Sequence, residues 1–538
     1  MSKLKYIYTS ITQVCNLSYS VYTHLIHFFS SDELQTGVRW VYPYFFSIFP
    51  ILVFYSANSK EFEIGVIFFP IFLSLVFFIF LCLVLNLFFR DFYRSSLVLL
   101  VIILYFFSFG YCWEKYHINH NLFLIFYTFF FCLLLFLLLR IKQQHHLTIF
   151  FNIIGLYLIA SSFFAIIPYE IKRRTIKKID ANDTRIVLNR SKASRPNIYY
   201  LIFDRYANSQ ILKDYYHYDN TDFIEYLKKK GFYLAEKSFA NYPKTHLSLA
   251  SSLNLDYLDE YIKTIGRDNS DYTPVFDLVS DNRVARSLKS LGYRYLYFGD
   301  WWNPTRLSKL ADKNINLFVN SDEFSRKFMG TTVITSLLGN YYQGNNLFGL
   351  FHDRVFKNIN YKLDRLAKVA KEKGPRFVFS HMLFPHYPYV FDANCQRNDS
   401  KFSQPDKKRY IDQLKCTNMK IINLIDAIIT ADSQAIIILQ SDEGPFWEEE
   451  MKLDGEGVDW SKVSDDAKKI HMKILNAYYL PGFDYSQLYP EISPVNSFRI
   501  IFNRYFQTNL EILDDKSFFI NHLNRPYQYV DVTKVISK

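Results

Sequence analysis

Residues Ala435–Phe446 read AIIILQSDEGPF. A short apolar run without alternation describes a strand buried on both faces, and such strands belong to parallel sheets covered by helices. The run stops on Asp442 and Glu443, and the carboxyl ends of parallel strands are where open α/β sheets build their sites. Two more segments repeat the pattern. IYYLIFDRYA (Ile198–Ala207) ends on Asp204, and RFVFSHMLFPHYPY (Arg376–Tyr389) runs into His381 and His386. Tyr293–Gly299 and Ile474–Pro481 are further runs of the same kind. Helix-patterned stretches lie among them: Asp222–Lys230, Arg283–Leu291, Tyr410–Ile429 and Val495–Tyr505. The expected fold here is α/β with a mostly parallel central sheet. A lone Asp after a strand is as readily the N-cap of the next helix; three such ends in one domain favour a shared site.

Outward from these strands the composition changes sharply. Residues 1–170 hold 9 Lys+Arg and 7 Asp+Glu, leaving 53 and 44 for residues 171–538. With 50% hydrophobic and 19% aromatic residues, disorder, collagen-like repeats and a small disulfide scaffold are excluded. Five uncharged stretches approach the roughly 20 apolar residues needed to cross a bilayer: Trp40–Ser59, Ile64–Phe89, Ser95–Trp113, Asn121–Leu139 and Leu147–Tyr169. The expected order is an N-terminal interfacial or cytoplasmic segment (1–36), an all-α transmembrane bundle of about five spans (37–170), a charged linker (171–194) and an α/β domain (195–538). Residues 6–31 read as an interfacial helix.

Cations in short loops set orientation. With the N-terminus cytoplasmic, the inner segments hold Lys3, Lys5, Arg39, Arg90, Arg94, Arg140 and Lys142, and the outer loops hold Lys60 and Lys115. This places the α/β domain outside the cytoplasm. The net charge of +11 then points to anionic lipid head groups rather than nucleic acid. Only Cys395 and Cys416 lie in the second half. An even pair in an oxidising compartment points to a disulfide, with two unrelated thiols as the alternative.

FANYPKTHLSLASSLN (Phe239–Asn254) has the pattern of a loop entering a helix with Thr245 as its N-cap, a role worth about 1 kcal/mol. The same position places a hydroxyl among free N–H groups at the positive end of a helix dipole, which suits a phosphoryl group. In order and strand-end placement, these segments resemble the alkaline phosphatase superfamily in its sulfatase-like branch. The likeness is greatest to membrane-anchored phosphoethanolamine and phosphoglycerol transferases such as lipid A phosphoethanolamine transferase and lipoteichoic acid synthase.

The resemblance implies that Asp204, Asp442 and Thr245 are metal ligands and that Thr245 is the nucleophile. It makes His386 a substrate-side histidine and His471 a further substrate-binding candidate. Glu443 stands where those transferases usually carry histidine. Taken as a ligand, it makes the set oxygen-rich, favouring one Mg²⁺, Mn²⁺ or Ca²⁺ over Zn²⁺. His381 is read either as an acid or oxyanion donor or as a core histidine, and Lys244 as a phosphate contact or a solvated lysine. His246 is read as solvent-facing, and Trp301 and Trp302 as loop packing. The implied activity moves a phosphorus-containing head group from a membrane lipid donor to a lipid or glycan acceptor, or to water. The alternatives are a catalytically degenerate protein with a binding or envelope-assembly role, and a sulfatase or phosphodiesterase. No Cys/Ser-x-Pro-x-Arg sequence of a sulfatase nucleophile occurs. Oligomeric state is not legible.

Overall fold

The computed structural model describes residues 41–116, 119–141, 144–179, 186–188, 195–319, 322–334, 347–398, 406–446, 460–522 and 525–538. The expected interfacial helix, with Lys3, Lys5, Arg39 and Trp40, lies outside the described residues, as do Lys142 and residues 180–185 and 189–194 of the linker. Two units divide the chain, one formed by residues 1–173 with 324–341 and the other by 174–323 with 342–538.

The first unit contains α1 (Tyr42–Asn58), α2 (Phe68–Phe89), α3 (Phe92–Tyr116), α4 (His120–Arg140) and, as far as Arg173, α5 (Gln144–Ile179). Among the described residues, four segments are long and apolar enough to cross a membrane: Ile64–Phe89, Phe92–Trp113, Asn121–Arg140 and His146–Thr175. The fifth expected span forms α1, which has only 17 residues. At 1.5 Å per residue this is about 26 Å, shorter than a hydrocarbon core of about 30 Å. Ile51, Leu52 and Tyr55 of α1 are fully buried, whereas Leu87 and Phe88 of α2 are 78% and 81% exposed, as lipid-facing side chains are. The buried charges in this unit are paired, as desolvated charges must be. Arg173 donates to Glu170 Oε1 at 2.7 Å, and the Tyr55 hydroxyl donates to the same oxygen at 2.6 Å. Phe324 and Phe328, far along the chain, pack on Phe54 with ring centroids 5.2 and 5.5 Å away. No sequence signal marks that excursion.

The second unit is built on a seven-stranded sheet of β1 (Ile198–Phe203), β2 (Tyr233–Leu234), β3 (Arg294–Phe298), β4 (Lys313–Asn314), β5 (Arg376–Met382), β6 (Ile436–Gln440) and β7 (Asn476–Tyr479), in the order β2-β7-β6-β1-β5-β3-β4. β6, β1, β5, β3 and β4 run parallel; β7 runs antiparallel to β6, and β2 pairs antiparallel with β7. Every residue of β1, β5 and β6 is buried, so both faces of the sheet are covered. One cover consists of α6 (Thr245–Asn254) and a helix at Pro494–Phe506. Tyr200 of β1 donates to Gln440 Oε1 at 2.7 Å and lies 3.1 Å from the Ser252 hydroxyl of α6, and Phe498 packs edge-on to its ring at 5.1 Å. The helix Lys407–Ala431 buries Tyr410, Leu414, Ile421, Ile425 and Ile428, a stripe at helical spacing. Strands β8 (Phe518–His522) and β9 (Arg525–Asp531) form a separate hairpin.

Register decides the site. Ile202 of β1 lies opposite His381 of β5 and Gln440 of β6, so these three central strands end at one level. Asp204 and Asp442 each follow two residues beyond it. Cys395 and Cys416 are disulfide-bonded, with Cα atoms 5.0 Å apart, tying the loop after β5 to the helix Lys407–Ala431.

Two stability changes are expected. Ile437→Ala, in the fully buried centre of β6, should cost about 2–5 kcal/mol in chemical unfolding of the second unit. Replacing both Cys395 and Cys416 by Ser opens a crosslink spanning 21 residues and should cost about 3 kcal/mol by loop-closure entropy; unfolding with no change in midpoint would refute this.

Candidate metal centre

Asp204 and Asp442 are each 1% exposed and His381 is fully buried. His381 Nε2 lies 3.6 Å from Asp204 Oδ2 and 3.8 Å from Asp442 Oδ2. One ligand atom from each of the three side chains lies within 4.8 Å of the others. Asp204 Oδ1, both Asp442 carboxylate oxygens and His381 Nε2 have no hydrogen-bond partner among the described residues. Buried polar atoms are rarely left this way. A divalent cation fits the donors: two carboxylates and an imidazole nitrogen at the mouth of a parallel sheet.

Electrostatics points the same way. Burial, and then the Asp442 charge, push the Asp204 carboxyl well above its ordinary range. Burial disfavours a charged His381, but Asp204 and Asp442 outweigh it and raise the imidazole to about 9. The two carboxylates therefore demand positive charge, which a proton or a metal ion supplies.

Thr245 and Glu443 form the neighbouring half. Thr245 is the first helical residue of α6 rather than its N-cap; Lys244, extended, occupies the cap without a side-chain bond. The Thr245 hydroxyl instead donates across the chain to Glu443 Oε1, at 3.4 Å. Glu443 is also 3.3 Å from Arg205 Nη2 and 3.4 Å from His471 Nε2. Burial would raise the Glu443 carboxyl, but Arg205, then His471 and Lys244, hold it well below the usual carboxylate range. This half is internally balanced, whereas the Asp204–Asp442 pair is not. Gly444 lets the strand end sit close: a Cβ there would meet the carbonyl oxygen of Ile470 at 2.4 Å.

The remaining predicted residues ring this centre. His471 Nε2 lies 2.8 Å from the Pro243 carbonyl, bracing the loop before Thr245. Lys244 Nζ sits 4.3 Å above the Trp460 ring. His386 packs on Phe446 at 5.4 Å, and Arg205 lies over the other side chain's ring at 3.4 Å. His246 is not solvent-facing: it is 6% exposed, and Tyr272, Phe276 and Trp302 surround it with centroids 5.2–6.0 Å away. A polar residue on the second position of a helix reads as exposed until the neighbouring helix that covers it is known. Sequence reasoning missed Arg205, although a cation directly after the strand-end Asp204 was a usable signal. It also missed Thr305, whose hydroxyl meets His381 Nδ1 at 2.8 Å and which carried no signal.

The sulfatase family model matches residues 196–495. Among solved structures, the C-terminal periplasmic domain of EcEptC from Escherichia coli is 13% identical with a TM-score of 0.40, covering 65% of this chain and 96% of that one. The same domain of phosphoethanolamine transferase EptC from Campylobacter jejuni is 13% identical with a TM-score of 0.36, covering 64% and 99%. BT1596, a 2-O GAG sulfatase, is 10% identical with a TM-score of 0.38, covering 61% and 78%. No curated protein matches. The family match spans more than half of the 538 residues and takes in the ends of β1, β5 and β6 with Thr245 and His471, and on it the chain belongs to the sulfatase family.

Proposed function

We propose that this protein is a membrane enzyme that moves a phosphorus-containing head group from a lipid donor to a lipid or glycan acceptor, or to water, through Thr245. The observation that carries this reading is the Thr245 hydroxyl at the start of α6, 3.4 Å from the Glu443 carboxylate that directly follows Asp442. Asp204, Asp442 and His381 would hold one divalent cation, with Thr245 and Glu443 adjoining it. A bound cation there supplies charge that favours the ionised hydroxyl and screens phosphoryl oxygens. Glu443 accepts the Thr245 hydrogen and so turns an oxygen lone pair away from itself, toward an incoming phosphorus. Arg205 and Lys244 supply positive charge on the substrate side, and the free N–H groups of the first turn of α6 suit phosphoryl oxygens. The Thr245 Oγ1–P bond forms as the bond from phosphorus to the donor's leaving oxygen breaks, and the hydroxyl proton ends on that leaving alcohol. His386 and His471 flank the path. The acceptor hydroxyl then repeats the exchange in reverse, freeing Thr245. The positive-inside count, seven cations against two, and the disulfide support an extracytoplasmic site.

Glu443 also favours a second reading. It replaces the expected histidine and is already paired with Arg205, as in a degenerate site that binds an envelope glycan without turning it over.

Metal addition separates the two. Mn²⁺ or Zn²⁺ at about 100 times its Kd should stabilise the purified protein by about 2.7 kcal/mol, and Asp442→Asn should abolish the thermal shift; no shift with either ion favours the binding role. Thr245→Ala should lower head-group release from phosphatidylethanolamine or phosphatidylglycerol vesicles by about 10³-fold or more, with an unchanged melting temperature. Full turnover by that variant would end the covalent mechanism.

A further inference from the structure

Behind His381 lies an ion pair with no access to solvent. Lys362 Nζ is 2.7 Å from Asp300 Oδ2, and both side chains are fully buried. Such a pair gains little over apolar packing, because desolvating two charges offsets their attraction. What it holds is more informative. Lys362 also donates to the His381 carbonyl at 2.5 Å, and Asp300 Oδ2 accepts from the Leu383 N–H at 3.3 Å. The pair thus grips the end of β5 at the His381 carbonyl and again two residues on, at Leu383. Asn358 Nδ2 and the Trp301 N–H, at 3.1 and 2.8 Å, complete the Asp300 carboxylate.

The same loop reaches the ring. FGDWWNPTR (Phe298–Arg306) doubles back so that the Asp300 N–H meets the Thr305 carbonyl at 3.2 Å. Gly299 makes this closure possible, since a Cβ there would lie 2.4 Å from that carbonyl oxygen. Thr305, fully buried, is then fixed with its hydroxyl 2.8 Å from His381 Nδ1. For Nε2 to offer a lone pair, Nδ1 must carry the proton, and Thr305 Oγ1 is the acceptor waiting for it.

We propose that Thr305, Asp300 and Lys362 are positioning residues that hold His381 as a metal ligand, the hydroxyl fixing its ring and tautomer and the ion pair fixing its backbone. The proposal rests on the metal reading above and adds to it the residues that orient one ligand. Partners of this kind change metal affinity by 10–100-fold when removed.

Mn²⁺ titration of the full-length, detergent-solubilised protein tests it, with pulsed electron paramagnetic resonance of the bound ion. Thr305→Val, which keeps the volume, should weaken Mn²⁺ binding 10–100-fold without changing the melting temperature in EDTA. It should also diminish the imidazole ¹⁴N modulation seen in the unmodified protein, and Thr305→Ser should restore both. Lys362→Met alone strands a buried carboxylate and endangers the fold, so the pair is removed together as D300N/K362M; at least a tenfold loss of Mn²⁺ affinity is expected. An unmodified protein that binds Mn²⁺ with ¹⁴N modulation, beside a Thr305→Val variant equal to it in Kd and spectrum, overturns the proposal while leaving the metal centre standing. Failure of the unmodified protein to bind Mn²⁺ overturns the metal reading itself. Unaltered binding by D300N/K362M removes the ion pair from the positioning role.

Discussion

Two carboxylates, Asp204 and Asp442, are held side by side in the interior by the parallel pairing of β1 with β6, and the rest of the site is arranged around the cost of that placement. Parallel register leaves no choice once Ile202 and Gln440 are partners: the residues that follow must emerge together. Like charges so placed repel and lose solvation at the same time. The fold bears this because the second unit wraps the strands in apolar residues from both faces and ties the loop after β5 with a disulfide.

Charge is divided unevenly across the centre, and that division separates its tasks. Glu443 is balanced by Arg205 and lies near His471, so its ionisation needs nothing from outside the chain. Among the described residues, Asp204 and Asp442 have only the shared imidazole of His381 as a cationic partner. Thr245 bonds to the balanced half, at the residue that directly follows Asp442. A hydroxyl in that position is oriented by a carboxylate that remains ionised, while the neighbouring carboxylates are free to accept a cation.

Much of this was legible in the sequence because strands announce themselves as apolar runs and sites follow strand ends. The five longer strands of the seven-stranded sheet lie within the runs that predicted them, whereas the hairpin β8–β9 had none, and helix Arg283–Ser290 falls within one residue of its expected end. Less legible was anything set by contacts distant in sequence. The Thr245 hydroxyl, expected to cap its own helix, bonds instead 198 residues away. The burial of His246 depends on a second helix and a loop, and the membership of 324–341 in the first unit has no local signature at all. Length, too, needs the structure: Trp40–Ser59 reads as a span by composition, yet the helix within it is 17 residues.

Metal preference turns on which side chain completes the ligand set. Counting Glu443 with Asp204, Asp442 and Thr245 gives oxygen donors alone and favours Mg²⁺, Mn²⁺ or Ca²⁺. Replacing Glu443 by His381 introduces an imidazole nitrogen, which suits Zn²⁺ and Mn²⁺ and is foreign to Ca²⁺ sites. Distances favour the second set, since His381 Nε2 lies between the two aspartates whereas Glu443 is engaged by Arg205. In that arrangement the substitution of glutamate for histidine after Asp442 does not by itself remove the nitrogen ligand from the centre. In the proposed centre the imidazole would come instead from β5, leaving Glu443 to orient the threonine.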